Sequence, residues 1–259
     1  MNSSNEHILI IGASSPIAFS AIECFATEGY KLSLVCRSQP ELQKNSDMEA
    51  LCTFFSFNLE NIDDISSLFQ EITKKNGEIT RICFFQRYRG NNDSWEGENR
   101  VSIQATQRII ELFQSYSSSR PDRSVVIVTS SADLEVHLDQ PLSYHMAKAS
   151  LGQIIRYSAC ILGTSKIRIN GVKPAIVIKP RAEKYFKNNP GIVQLYDLIT
   201  PLGRMGTPYD IANVVFFLSS EKSSFVTGQI ISVDGGLSIH ENASLARLIH
   251  SRISDKNSK

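Results

Sequence analysis

His7-Ile8-Leu9-Ile10-Ile11-Gly12-Ala13-Ser14-Ser15-Pro16-Ile17-Ala18 is the stretch on which the fold turns. Its first five residues form a short apolar run, the pattern of a strand buried on both faces. Gly12 permits a tight turn. Pro16 suits the first turn of a helix, where its missing N–H is not needed. A helical pattern then runs to about Glu28, Gly29 ends it, and Lys31-Leu32-Ser33-Leu34-Val35-Cys36 reads as a second strand. Strand, tight turn, helix and strand together place an anion on a helix N-terminus, as in sites for the pyrophosphate of a dinucleotide. Gly12, Ser14 and Ser15 are the candidate phosphate contacts. Pro16 stands where a second glycine is usual in such loops. Ala18 stands where a third is, and is small enough for close helix–strand packing.

The alternation continues outward from this unit. Cys52 to Phe57 reads as a third strand ending in Asn58-Leu59, Ile62 to about Lys75 as a helix, and Arg81 to Phe85 as a fourth strand running into Gln86-Arg87-Tyr88-Arg89-Gly90. A long helix from Asn99 to Tyr116 and a polar loop, Ser117 to Arg123, lead to the apolar run Val125-Val126-Ile127-Val128. A sixth strand, Arg168 to Val172, follows another helix. Strands alternating with helices predict a parallel sheet with right-handed crossovers. Arg37 directly follows the second strand, with Ser38 beside it. A carboxylate there would accept from a ribose 2′-OH, whereas a guanidinium matches a 2′-phosphate. The reading is NADP(H) over NAD(H), against a plain surface cation. Arg87 and Arg89 either reach phosphate or belong to a solvated loop.

The 259 residues carry 27 basic and 26 acidic side chains, a net charge of +1, and 42% hydrophobic residues. That balance fits a globular domain and argues against nucleic acid as a partner. No apolar run is long enough to span a bilayer, and the N-terminus does not read as a signal peptide. Cys24, Cys36, Cys52, Cys83 and Cys160 are scattered through apolar runs, which suggests reduced thiols in the cytoplasm. The histidines are equally dispersed, so no metal site is expected. No linker divides the chain, and one domain over 1–259 is expected.

In Ser143-Tyr144-His145-Met146-Ala147-Lys148, which opens a helix, Tyr144 and Lys148 lie one turn apart on one face. An ammonium there favours the phenolate, drawing the phenol toward the range where proton transfer works best. Thirteen residues before Tyr144, Ser131 follows the fifth strand, at the end of an α/β sheet where ligands bind. Its hydroxyl is placed to hold the oxygen whose proton the tyrosine moves.

With Pro201-Leu202-Gly203-Arg204-Met205-Gly206-Thr207-Pro208-Tyr209-Asp210-Ile211-Ala212 and Thr227-Gly228-Gln229-Ile230-Ile231-Ser232-Val233-Asp234-Gly235-Gly236, these features resemble the short-chain dehydrogenase/reductase family over residues 7 to about 238. The resemblance implies a single-domain Rossmann fold: a doubly wound parallel sheet of about seven strands with helices on both faces. It also implies a nicotinamide cofactor and a homotetramer or homodimer. Tyr144 takes the place of the catalytic acid/base, Lys148 of the lysine that serves the phenol and the ribose, and Ser131 of the serine that polarises the carbonyl. Gly12, Ser14, Ser15, Ile17, Arg37, Ser38, Asn58, Leu59, Gln86, Pro174 and Val177 fall on cofactor positions. Ser102 stands at the family's helix asparagine, with Asn99 one turn earlier as a stand-in.

Several positions depart from the family. Gln86-Arg87-Tyr88 replaces Asn-Ala-Gly, Asn58 replaces an aspartate, Ala175 a glycine and Lys179 a threonine. Residues 179–200 correspond to a substrate lid; within 179–196, Lys179, Arg181, Lys184 and Lys187 stand against only Glu183, which reads either as a hint of an acidic or phosphorylated substrate or as a solvated face. Residues 239–259 form a C-terminal extension, with a helix expected from Ala243 to Ile253. The function implied is hydride transfer between NADP(H) and a small carbonyl or secondary alcohol. The alternatives are a sugar-nucleotide or other biosynthetic oxidoreductase, and a dinucleotide-binding regulatory or scaffold protein without turnover. Oligomer contacts are expected from Ile109, Ile110, Leu112 and Phe113 on one helix and Leu151, Ile154, Ile155 and Ile161 on another.

Overall fold

The computed structural model describes residues 6–40, 46–90, 93–116, 122–178 and 180–257. Seven strands, β1 (His7–Ile11), β2 (Lys31–Cys36), β3 (Cys52–Ser56), β4 (Arg81–Phe84), β5 (Arg123–Val128), β6 (Ile167–Pro174) and β7 (Ile230–Val233), form one sheet in the order 3-2-1-4-5-6-7. Every adjacent pair is parallel. All five residues of β1 are buried, as its unbroken apolar run requires of a strand covered on both faces.

Helices α1 (Pro16–Thr27), α2 (Ser46–Leu51), α3 (Ile65–Asn76), α4 (Ser94–Glu98), α5 (Ala105–Ser115), α6 (Leu142–Leu162), α7 (Pro180–Asn188), α8 (Pro190–Ile199), α9 (Pro208–Ser219) and α10 (Asn242–Asn257) complete the described elements. Two apolar cores result. One joins α3, α5 and α6 to the sheet through residues such as Phe69, Phe113 and Ile155. The other joins α1 and α9 through Ile22, Phe25, Val215 and Leu218.

The long helix expected from Asn99 to Tyr116 instead begins at Ser94 as α4 and passes through a π-helical turn, Asn99–Gln104, before α5. Asp93 caps its start by accepting from the Trp95 N–H at 2.8 Å. Side chains bind the backbone within the turn. Thr106 Oγ1 donates to the Ser102 carbonyl at 2.7 Å, a back-bond of the kind that bends helices. The expected oligomer residues also fall differently. Ile109, Ile110, Phe113, Leu151 and Ile155 are core, and Leu112 and Ile154 pack against it. Only Ile161 of that group is exposed, on a stripe of α6 with Leu142, Met146 and Tyr157. Five of the eight are buried in the core because both faces of a doubly wound sheet need an apolar covering, and these residues supply one of them.

The chain enters α9 through a clamp. Thr207 and Asp210 form a capping box, and Arg204 grips Asp210 with two bonds of 2.8 Å. These bonds hold the Asp210 carboxyl well below its usual range, the Arg204 hydrogen bond first among the causes.

Candidate active site

A groove crosses the C-terminal ends of β1 to β4, where the strand order reverses between β1 and β4. Its floor is set by Gly12, at φ +79°, whose N–H donates to the Val35 carbonyl at 2.9 Å. A Cβ at Gly12 would meet the backbone nitrogen of Gln86 at 2.5 Å, so only glycine lets the ends of β1 and β4 come this close. α1 begins beside it with Pro16 in its first turn, and no side chain caps the helix. Its free N–H groups are therefore available to an anion in the groove.

Gly12, Ser14, Ser15, Arg37, Asn58, Leu59 and Gln86 line this groove, together with Arg87, Tyr88, Arg89 and Glu60. Three arginines face one carboxylate. The Asn58 side chain is tied to Glu60, accepting from its N–H at 3.3 Å and donating to its carboxylate at 3.2 Å. Gln86 donates to Thr106 Oγ1 at 2.8 Å. Tyr88 is buried, its ring seated where a Cβ on Gly90 or Gly97 would fall. Ile17 and Val177 are also buried, in the core beneath α1, and Ser38 is exposed with its carbonyl near the Cys36 thiol. Burial pushes that thiol up to about 11.

The second half of the site comes from β5 and α6. Ser131 opens a short helical turn after β5 that packs against α6. Tyr144 and Lys148 lie on the buried face of α6, 9% and 4% exposed, with the Lys148 Nζ 5.6 Å from the phenol ring centroid. Lys148 also reaches the Val128 carbonyl at 3.4 Å, which ties it to the end of β5. Pro174 and Ser131 line a second cavity. Ser102 lies fully buried in the π-turn, its hydroxyl donating to the Glu98 carboxylate at 2.6 Å. Asn99 opens that turn.

Three features escaped sequence reasoning. Arg87 lies over the Tyr144 ring, 4.5 Å from its centroid, and donates to Gln140 at 2.6 Å. Glu60 enters the groove two residues after Asn58. The His137 ring stands 2.7 Å from the Ser131 hydroxyl, and the His137 backbone N–H donates to His145 Nε2 at 2.9 Å. The two histidines lie on either side of a loop, so spacing alone could not pair them. The adjacency of His145 to Tyr144 was the one visible signal.

On the lid, Lys184 and Lys187 are exposed, and Lys179 lies outside the described residues. No group of three or more His, Cys, Asp or Glu able to hold a metal occurs among the described residues. None of their helices is long and apolar enough to cross a membrane.

Comparison with known proteins gives a consistent result. A family model described as enoyl-(acyl carrier protein) reductase matches residues 12–238. The isoepoxydon dehydrogenase patN of Penicillium expansum is 25% identical, over 90% of this chain and 95% of its own length. The 3-oxoacyl-[acyl-carrier-protein] reductase FabG of Thermotoga maritima is 27% identical, over 89% and 97%. A 3-oxoacyl-[acyl-carrier protein] reductase from Brucella melitensis, solved in complex with NAD, superposes with a TM-score of 0.79 at 21% identity, covering 92% of this chain and 98% of that one.

Proposed function

The chain belongs to the short-chain dehydrogenase/reductase family of nicotinamide-dependent oxidoreductases, and from that premise we propose that it transfers hydride between NADP(H) and a small carbonyl or secondary alcohol. The observation that supports the reading is that Tyr144 and Lys148 share the buried face of α6, against which the turn opened by Ser131 packs, while Arg87 joins the Tyr144 ring to a groove whose lining suits a dinucleotide. The groove fits that group. Gly12 leaves room for its backbone, the N-terminus of α1 suits its pyrophosphate, and Arg37 suits a 2′-phosphate.

When bound, the nicotinamide supplies or takes the hydride. The chain supplies the rest. Ser131 holds the carbonyl oxygen. Tyr144 gives that oxygen a proton, or takes one from the alcohol. Lys148 keeps a positive charge beside the phenol and serves the ribose, whereas Ser102, fully buried with its proton given to Glu98, has no surface to meet the water of a proton relay. The segment 179–200 acts as the lid and 239–259 as an extension of a single domain. The substrate is a small molecule, and the exposed Lys184 and Lys187 of the lid support one that is acidic or phosphorylated. Five free thiols support a reducing compartment such as the cytoplasm. The exposed stripe Leu142, Met146, Tyr157 and Ile161 of α6 supports assembly with further copies, as a dimer or tetramer.

A second reading is a dinucleotide-binding protein without turnover. Arg87 supports it by lying on the Tyr144 ring, where a substrate must approach. Measuring NADPH oxidation against a panel of ketones, keto-acids and keto-sugars decides between the two. Turnover of any member supports the enzyme. NADPH binding with no turnover across the panel supports the second reading, and a protein that binds neither NADPH nor NADH overturns both.

A further inference from the structure

We propose that His137 is a positioning residue that turns the Ser131 hydroxyl into a hydrogen-bond donor, and that His145 locks it in place. The proposal rests on the oxidoreductase reading for its consequence, though not for its geometry. A serine hydroxyl has one proton and two lone pairs. Ser131 Oγ lies 2.7 Å from His137 Nε2, so one of the two carries the shared proton. If Ser131 donates, its only proton is spent on the imidazole and it cannot donate to a substrate oxygen. If His137 donates from Nε2–H, the Ser131 proton remains for the substrate.

One observation selects the second arrangement, and another holds it in place. The Glu135 carboxylate lies 3.9 Å from the same Nε2, and a negative charge there favours a proton on that nitrogen. His145 anchors the backbone that carries the ring. Its Nε2 accepts from the His137 backbone N–H at 2.9 Å, which requires the proton on Nδ1, and Nδ1 in turn lies 2.9 Å from the Pro141 carbonyl oxygen and donates to it. His145 follows Tyr144 in the first turn of α6. The chain of contacts therefore runs from the tyrosine's own helix, through His145 and His137, to Ser131. Between them the loop alternates. Leu134, Val136 and Leu138 face solvent, 78%, 80% and 97% exposed, while Glu135 and His137 line the cavity beside Ser131. Register between the serine at a strand end and the tyrosine on a helix is set through these two imidazoles.

Nitrogen-15 NMR of the histidine side chains of the full chain, at neutral pH and without substrate, tests the geometry directly. Ser131→Ala identifies the His137 resonances by shifting them. A protonated, pyrrole-type Nε2 on His137 is expected. A pyridine-type Nε2 overturns the proposal, whatever the protein's activity. With a substrate from the carbonyl panel, His137→Leu is expected to lower kcat about tenfold at nearly constant KM, the value of one hydrogen bond made in the transition state. His137→Gln, which restores an N–H donor at similar reach, is expected to recover most of that loss. Leu and Gln variants that are equally slow overturn the donor role in favour of loop packing. If the wild type reduces nothing, the oxidoreductase reading fails and the NMR result still decides this one.

Discussion

The two ends of the sheet face the same physical problem and solve it differently. In a doubly wound sheet the helices run opposite to the strands, so their positive N-termini gather at the strand C-termini and their negative C-termini at the other edge. At that other edge the chain supplies its own counter-groups. Arg81 begins β4 and donates to the Ser219 carbonyl at the end of α9 at 2.6 Å. Arg168, in β6, donates to the Leu218 and Ser220 carbonyls at 2.9 and 3.1 Å. Arg123 begins β5 and donates to the Phe113 carbonyl near the end of α5. His7 begins β1 and binds the Gly77 carbonyl after α3 at 3.1 Å. The three arginines are cations at helix C-termini, the stabilising arrangement, whereas His7, with its pKa lowered to about 4, acts there as a neutral hydrogen-bonding group. Glu6 and Asp122 pair with the arginines. At the active-site edge, by contrast, α1 starts without a side-chain cap, and arginines rather than carboxylates dominate the groove. Polar groups saturated by the chain serve stability, whereas those left facing a groove serve a ligand.

That contrast can be broken from either side. Tyr144→Phe removes only a proton donor at the open edge, so it is expected to cut turnover by about 10³–10⁴-fold, roughly 4–5.5 kcal/mol of barrier. The Kd for NADPH and the Tm are expected to stay near wild type, and steady-state rates with a binding titration check this. A Phe variant with wild-type kcat on an accepted substrate sinks the assignment. Arg81→Met does the reverse. Breaking a buried ion pair costs about 3–5 kcal/mol. The lower half of that range is expected because Glu6 and Asp122 remain 15% and 23% exposed. Denaturant unfolding at constant m should show the loss, with NADPH affinity of the folded fraction unchanged. A variant as stable as wild type would mean the arginine is not what closes α9.

His7 offers a pH test of the closed edge. Burial first, and then the Lys31 charge, lower its pKa from 6.5 to about 4. The folded state thus binds its proton less tightly than the unfolded one. Stability from this group is complete above pH 6.5 and falls as the pH drops from 6.5 toward 4, by about 3 kcal/mol in total. Unfolding curves across that window, compared with His7→Gln, should show a limb that the variant lacks. The smallest effect concerns the open edge. Arg37 is expected to favour NADPH over NADH by about tenfold to a hundredfold. Arg37→Asp should reverse or abolish the preference. Equal dissociation constants for the two dinucleotides in the wild type would reduce Arg37 to a surface cation.

Much of this protein was legible in the chain alone. Short runs such as Ile8 to Ile11, bounded by Gly12, read as strands buried on both faces, and their alternation with amphipathic stretches points to a parallel sheet, because a crossover helix is what joins parallel neighbours. Gly12 and the Tyr144–Lys148 spacing were readable for the same reason, since each depends on local geometry within one turn of chain. Tertiary structure alone decided the rest. It placed Ile109, Phe113 and Leu151 in the core rather than on an interface, set Arg87 on the Tyr144 ring, and joined His137 to Ser131 through a loop held by His145. It also brought Arg81, Arg123 and Arg168 to helix ends far away in sequence. These contacts depend on where loops close and on which face of a helix meets the sheet. No periodicity encodes that, because periodicity records the spacing of residues along one element and not the distance between two.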